Sequence, residues 1–326
     1  MSEYKFQHYV PRKYLEAWEN NKHHLHVFMK DINREFYKAT DKILGENDLY
    51  TLKSDDLYAL SDNDRLIIFG ELLNYNIVLD GKPIENVYEL SMNYNRFCDW
   101  EIVSKDGSDV NKQYIKSKID QKRILEIEKG WHIIEGEWGY LRDKIEKVIY
   151  DGSYRLKKED GQNIIKFIVT QKSRNISKKK ELRNLIDSIL NFMKTNDNDE
   201  EYSKIIEEFT ESYFLKNIRK YQHEDENSTI LKEQNLMMRL HMVFYKSSGG
   251  KNFLTSDNPV FAIIDKNFYK GKLIGLYFPI SPNIIVGLYR GDEYKYTINC
   301  MPVNMMKRIN KYIIINSEQF YIKYDK

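Results

Sequence analysis

Three groups of polar residues carry the side chains with which this chain could do chemistry. They are His8 in the segment Gln7-His8-Tyr9-Val10-Pro11, the pair Gln171 and Arg174, and the segment Thr255-Ser256-Asp257-Asn258-Pro259. An imidazole exchanges protons near neutral pH, and a guanidinium binds phosphate or carboxylate. Short hydroxyl, carboxylate and amide groups can position a substrate. Together these types fit acid–base chemistry on a phosphoryl or carbonyl centre.

His8 precedes a predicted helix and has two interpretations. Pro11 suits the first turn of a helix because its missing N–H would find no intrahelical partner there. Tyr14, Leu15 and Trp18 would then share the apolar face of that helix. In this position His8 is either a satisfied core or capping residue or a general acid–base.

Gln171 and Arg174 prolong the apolar stripe of another predicted helix. They follow Ile164 and Ile168 at helical spacing, so both side chains should point inward. A buried guanidinium requires an acceptor such as a carboxylate, a carbonyl or a phosphate. The partner is either Asp257 or an anionic group of a ligand.

The segment around Asp257 predicts an ordered turn between two strands. Pro259 keeps Asn258 out of helical geometry, and Asp257 or Ser256 can accept hydrogen bonds from nearby backbone N–H groups. As a purely structural feature it links the two strands. As a functional feature it directs Thr255, Ser256 and Asn258 into a cleft.

Other patterns are weaker. His24 and His26 would share one face of a strand, but no further ligand follows at a recognisable spacing, so no metal site is predicted. Glu293-Tyr294-Lys295, downstream of an aspartate, is only distantly similar to the acidic motif of metal-dependent nucleases. Arg219 and His223 do not have the spacing of the Arg-x4-6-His ribonuclease signature. No nucleotide-binding motif occurs, and the sequence indicates no particular cofactor.

The elements that must position these groups follow from hydrophobic spacing. Alternating apolar residues on both sides of a turn at residues 30–33 predict a hairpin. Residues 110–246 have helical spacing, interrupted by a polar helix connection at 195–201. A short helix is predicted at 303–310. Strands are predicted at 260–264, 273–278, 284–288, 312–315 and 320–323.

These elements predict an α+β fold, with mixed or antiparallel strands from both chain ends and a mainly helical middle section. We expect residues 1–326 to form one unit with three parts. The N-terminal part, 1–105, holds the first helix and the hairpin. A helical part spans 106–248, and a strand-rich part spans 249–326.

Composition sets the class of protein. Hydrophobic residues make up 41% of the 326 residues and aromatic residues 13%, which predicts a folded chain. The 51 basic and 49 acidic side chains leave a charge of +2, so nucleic-acid contact would need a local patch, for which the stretch Arg155 to Arg183 is the candidate. Two distant cysteines, Cys98 and Cys300, indicate a reducing compartment. Without an apolar leader or membrane span, we expect a cytoplasmic location.

Six short segments together resemble the bacterial family called domain of unknown function 4238. They occur in order along nearly the whole chain, at Gln7 to Leu15, Glu46 to Tyr50, Gln171 to Arg174, Phe253 to Pro259, Phe278 to Pro282 and Val303 to Tyr312. The resemblance implies no established activity. It implies that His8, Gln171, Arg174 and the Asp257 turn belong to one unit. The chain departs from the family pattern at Asn175-Ile176, where Thr-Pro is common.

The leading functional hypothesis is a hydrolase or transferase that acts on a phosphate-bearing substrate such as a nucleotide or RNA. His8 would be the acid–base and Arg174 would bind the anion, while Asp257 would orient His8 or activate a nucleophile. Substrate positioning would fall to Gln171, Thr255, Ser256 and Asn258.

Two other hypotheses stay open. In the first, the protein is a non-catalytic sensor, effector or interaction protein of a bacterial stress or phage-defence cassette, and the same polar residues hold its fold together. In the second, the stretch Arg155 to Arg183 binds nucleic acid weakly and without sequence preference, and salt would abolish that binding.

Overall fold

The computed structural model describes residues 6–54, 59–152, 155–191, 199–265, 272–291 and 295–325. The helices in these ranges are α1 Arg12–Leu15, α2 Asp62–Phe69, α3 Val87–Met92, α4 Lys112–Gly136, α5 Trp138–Tyr150, α6 Lys158–Ser173, α7 Ile176–Leu190, α8 Asp199–Gln222, α9 Thr229–Met237 and α10 Val303–Asn316. The strands are β1 Phe6–His8, β2 His24–Met29, β3 Arg34–Ala39, β4 Gly45–Asn47, β5 Tyr75–Leu79, β6 Lys82–Pro83, β7 Glu101–Ser104, β8 His241–Lys246, β9 Thr255–Ser256, β10 Phe261–Asp265, β11 Lys272–Ser281, β12 Ile284–Tyr289, β13 Tyr296–Cys300 and β14 Phe320–Lys323.

The chain forms two compact units, and each unit is assembled from three separate stretches. The first unit contains the chain up to Gln7, Asn47–Gly130 and Leu182–His223. The second unit contains His8–Glu46, Trp131–Glu181 and the chain from Glu224 onward. Both units therefore contain residues that are far apart in the sequence.

The first unit contains a small antiparallel sheet with the strand order β6-β5-β7. Its core includes packed aromatic rings in and around α2 and the turns after α3. Phe69 lies 5.4 Å from Tyr94 between ring centroids, and Phe97 lies 5.0 Å from Trp100. These rings are all buried.

The second unit contains a five-stranded sheet with the order β10-β11-β12-β8-β13. All neighbours are antiparallel except β13 and β8, which are parallel. Helix α10 contributes to the same hydrophobic core, whose buried members are Phe253, Phe261, Tyr277, Ile285, Met301, Met306, Ile309 and Ile313.

A second sheet of this unit joins the two ends of the chain. Its order is β3-β2-β14-β9, and every pairing is antiparallel. Strand β14 lies between the N-terminal hairpin and β9, so that Ile322 pairs with both Val27 and Thr255. The side chains of Leu25, Val27 and Ile322 are fully buried.

Aromatic packing connects α1, α5, α6 and β11 within the second unit. Trp138 stacks on Phe167 at 3.9 Å between ring centroids, and Tyr14 stacks on Phe278 at 5.0 Å. Trp18, also fully buried, donates its indole N–H to the Phe253 carbonyl at 3.2 Å. This packing fixes the first helix beside α6, whose end carries Gln171 and Arg174.

The predicted α+β class is confirmed, and so are several element predictions. Helix α1 begins directly after Pro11, β2 and β3 form the predicted hairpin, and β14 has the predicted bounds. The predicted connection at 195–201 lies partly outside the described residues, since α8 begins at Asp199. Among the helices that the structure describes, none has the length and apolar character needed to cross a bilayer.

Two element predictions were wrong. Residues 312–315 continue α10 to Asn316 instead of forming a strand, because Met306, Ile309 and Ile313 place one face of a helix in the core. The run of isoleucines at 313–315 has a high strand propensity that this packing overrides. Residues 241–246, expected to end the helical section, form β8 between β12 and β13.

Candidate functional site

The predicted site residues all lie in the second unit. Gln171 and Arg174 lie at the end of α6, His8 ends β1, and Thr255 to Asn258 form β9 and the turn after it. We call His8, Gln171, Arg174, Asn175 and Asp257 the polar junction.

Arg174 is buried and held by groups of the protein. Only 1% of its surface is exposed. Its guanidinium donates to the Glu135 carboxylate and to the backbone carbonyl of His8, and it lies 5.2 Å from the ring centroid of Trp131. A charge buried this deeply must be paired to be tolerated, and Glu135 meets that requirement.

Asn175 connects the end of α6 to the Asp257 turn. It donates its side-chain N–H to the Asp257 carbonyl, and its side-chain oxygen accepts the N–H of Ser177 at 2.9 Å in the first turn of α7. The departure from the family pattern at Asn175-Ile176 is therefore a cap between two helices. Asparagine before a helical run was a readable signal for this role.

The Asp257 carboxylate holds the connection between α10 and β14. It accepts backbone N–H groups from Glu318 at 2.8 Å, Gln319 at 2.6 Å and Phe320 at 2.8 Å. Burial is the largest influence and raises the pKa of Asp257, whereas the three N–H donors act in the opposite direction.

The predicted ion pair between Asp257 and Arg174 is wrong. The carboxylate of Asp257 is occupied by backbone donors, and the carboxylate that pairs with Arg174 belongs to Glu135 in α4. Glu135 could not be identified from the sequence, because its distance from Arg174 along the chain corresponds to no local spacing. The two predicted residues are linked only indirectly, through Asn175.

His8 contributes its backbone and its imidazole to different neighbours. Its carbonyl accepts from Arg174, while its Nε2 lies 3.2 Å from the Thr40 carbonyl and must carry the proton there, because a carbonyl only accepts. Burial lowers the pKa of His8 to about 4, with further lowering by Arg174 and Arg12, while the Thr40 carbonyl and Asp41 act to raise it. The ring is therefore neutral at pH 7.

The remaining residues of the Asp257 turn bond within the protein. The Thr255 hydroxyl lies 2.6 Å from the Tyr14 hydroxyl, and both are fully buried. The Ser256 hydroxyl accepts the N–H of Asn258 at 3.2 Å. The side chain of Asn258 donates to the Asn316 carbonyl at the end of α10, at 3.1 Å.

Gln171 is the exception in the polar junction. Its side chain is fully buried, yet neither its oxygen nor its nitrogen has a hydrogen-bond partner among the described residues. A buried amide without partners lowers stability by about 1 to 3 kcal/mol, so such groups require an explanation. The predicted inward orientation of Gln171 is confirmed.

The histidine pair and the nuclease-like acidic pattern of the sequence do not form a metal site among the described residues. His24 bonds the Lys22 carbonyl through Nδ1 at 2.7 Å, and His26 lies between Glu35 and Asp325 at 3.2 and 3.4 Å. Within the described ranges, no group of three or more His, Cys, Asp or Glu side chains is arranged to hold a metal ion. Glu293, from the nuclease-like pattern, lies outside the described residues.

Arg219 and His223, which the sequence patterns did not favour, both contact Asp64 in the first unit; Arg219 and Asp64 are buried, whereas His223 is exposed. Arg219 Nε donates to the Asp64 carboxylate at 2.8 Å, and His223 Nε2 lies 3.2 Å from the same oxygen. Burial alone would raise the pKa of Asp64, but Arg219 and the Ser61 donors together lower it. The Ser61-x-x-Asp64 capping box was readable in the sequence, while its contact with Arg219 was not.

The polar junction is thus better suited to holding chain segments together than to binding an anion. Arg174 and Asp257 already have charged or backbone partners, and both are almost completely buried. In this junction, Gln171 is the residue whose side-chain polar atoms bond no described residue.

Comparison with known proteins identifies the family. Residues 7–326 match the model of the family described as "Protein of unknown function (DUF4238)". Comparison with curated proteins and with solved structures gives no match. Because the match covers nearly the whole chain, including the polar junction, the chain belongs to the DUF4238 family.

Proposed function

We propose that this protein is a non-catalytic binding protein of the sensor or effector type, in which the polar junction is structural. The observation that carries this proposal is the pairing of both charged residues inside the protein. Arg174 bonds Glu135, and the Asp257 carboxylate bonds three backbone N–H groups. An enzyme that binds an anionic substrate through Arg174 would need that charge to reach the substrate, and its pairing with Glu135 opposes this.

The setting that we propose is a bacterial stress or phage-response system in a reducing cytoplasm. Cys98 and Cys300 are both free and exposed, which is compatible with such a compartment. Nucleic acid is a weaker partner candidate, because several cations of the stretch Arg155 to Arg183 pair with carboxylates. Within this stretch, Lys180 pairs with Glu318 at 2.7 Å.

The structural role can be tested with Arg174→Met, which leaves Glu135 without its partner. We expect a loss of about 3 kcal/mol in the free energy of unfolding, measured by urea titration. The double variant Arg174→Met/Glu135→Met should recover most of this loss, because no unpaired charge remains.

A matched control is Arg183→Met, which removes the exposed pair of Arg183 with Glu207. It should lose less than about 1 kcal/mol. A stability of Arg174→Met that equals that of this control would refute the structural role.

An enzyme that acts on a nucleotide or RNA is the second candidate, and two observations favour it. His8 is neutral at pH 7 and only partly buried, and Gln171 has an amide without partners among the described residues. His8 would act as the acid–base, and the fully buried Gln171 would have to become accessible before it could bind the substrate.

An activity screen against nucleotides and nucleic acids tests this candidate. His8→Ala and Gln171→Met should both abolish activity while the variants keep cooperative melting. Activity retained in both variants would exclude the residues from the reaction.

A further inference from the structure

A cavity of about 250 Å³ lies in the second unit, between the end of α4, the start of α5 and α6. Part of its lining is apolar and buried: Trp138, Leu141 and Phe167 are at most 5% exposed. The polar part of its lining is formed by Glu137, Asn163 and Lys166. None of these residues belongs to the polar junction.

Trp138 contributes a fully buried indole ring to this lining. The ring is completely buried and stacks on Phe167 with an angle of 9° between the planes. Its nitrogen has no acceptor in the part of the chain that the structure describes. Buried tryptophan N–H groups usually have a partner, so this nitrogen is an exception.

Two residues of opposite charge lie in the lining, of which Glu137 is exposed and Lys166 is partly buried. Lys166 and Glu137 line the same cavity, but they form no ion pair with each other or with any other described residue. The amide of Asn163 likewise bonds no described residue. Opposite charges held apart at one cavity suit a ligand that carries both a carboxylate and an ammonium group.

The volume of the cavity limits the size of the ligand that it could hold. At about 30 Å³ for each water molecule, the cavity corresponds to roughly eight waters, or a ligand of similar heavy-atom number. This lies below the range of about 300 to 1,000 Å³ that is usual for drug-sized ligands. Free amino acids with a medium-sized side chain have this size.

We propose that this cavity binds a free amino acid with an apolar side chain of about the size of leucine. Its carboxylate would bind Lys166 and its ammonium group Glu137, while its side chain would contact Leu141 and the rings of Trp138 and Phe167. For a ligand of about nine heavy atoms, the dissociation constant should be roughly 0.1 to 1 mM. This inference goes beyond the proposed function and can be tested whether or not the polar junction is structural.

The test is isothermal titration of the full chain with three ligands: L-leucine, L-leucinamide, which lacks the carboxylate, and 4-methylpentanoate, which lacks the amine. Lys166→Met should weaken L-leucine at least about tenfold and leave L-leucinamide unchanged. Glu137→Gln should weaken L-leucine similarly and leave 4-methylpentanoate unchanged.

Matched controls are Lys158→Met and Glu159→Gln, which change exposed residues in the first turn of α6 and should bind L-leucine as the unaltered chain does. Thermal melts verify that each variant is folded. Two results would overturn the proposal: L-leucine giving no binding heat at several times the expected dissociation constant, or Lys166→Met and Lys158→Met having the same effect.

Discussion

Residues three positions apart on α6 show how differently buried polar groups can be accommodated. Arg174 bonds a carboxylate and a carbonyl, whereas Gln171 has no partner among the described residues. Helical spacing in the sequence indicated that both point inward, and this is confirmed. Helical spacing does not show whether a buried polar side chain has a hydrogen-bond partner, because the partners come from distant segments of the chain.

His8 makes stability depend on pH. Its pKa is about 4 in the folded protein and 6.5 ordinarily, so below pH 6.5 the folded state binds fewer protons than the unfolded chain. Above pH 6.5 the neutral His8 therefore leaves the free energy of unfolding unchanged. As the pH falls toward 4, that free energy decreases, because the unfolded chain takes up the proton more readily than the folded protein. The difference corresponds to about 3 kcal/mol.

This dependence can be measured by urea unfolding between pH 4 and 8. We expect His8→Asn to lose less stability on acidification than the unaltered chain, because asparagine can still donate to the Thr40 carbonyl but does not titrate. The other histidines contribute equally to both proteins. Parallel curves would show that His8 is not the titrating group.

Among the elements, the turn after β9 forms hydrogen bonds that connect several helices and strands of the second unit. Asp257 fixes the connection between α10 and β14, and Asn258 bonds the last turn of α10. Asn175 attaches the same turn to the start of α7. One short segment therefore joins two helices and a strand, and it needs a carboxylate to do so.

Asp257→Asn should loosen this connection. One oxygen becomes an NH2 group that faces a backbone donor, so we expect a loss of about 2 to 3 kcal/mol in the free energy of unfolding. Amide hydrogen exchange at Glu318, Gln319 and Phe320 should become faster. The control is Asp31→Asn in the exposed hairpin turn, and unchanged exchange at the three amides would contradict the prediction.

Local patterns predicted the elements well where tertiary packing agrees with them. The proline before α1, the turn between β2 and β3 and the strand at 320–323 were each predicted from neighbouring residues, and all three predictions were confirmed. The isoleucines at 313–315 were misassigned because strand propensity and helical packing conflict there. The Glu135 partner of Arg174 and the bond from Asn175 to the Asp257 carbonyl depend on contacts between distant segments, which a single sequence does not reveal.

On the scale of the whole molecule, the second unit depends on both ends of the chain. Strand β14 lies between β2 and β9, so it hydrogen-bonds on both of its edges. The Asp257 carboxylate also takes its three donors from the segment that begins β14. The last residues of the chain are thus central to this sheet.

Truncation tests this dependence. A chain that ends at Asn316 lacks β14 and should lose cooperative melting and soluble yield, because β2 and β9 are left with open edges. A chain that ends at Lys323 keeps β14 and should melt close to the full chain. Equal melting temperatures for the two truncated chains would contradict the central role of β14.

The position of β14 also fixes the order in which the protein can be completed on the ribosome. The first unit has all of its stretches once His223 has been made, whereas β2 must wait for residues about 290 positions later. At roughly 5 to 20 residues per second, that delay is roughly 15 to 60 s. During this time the buried side of the hairpin has no final partner, so we expect nascent chains to need protection by chaperones until β14 has been made.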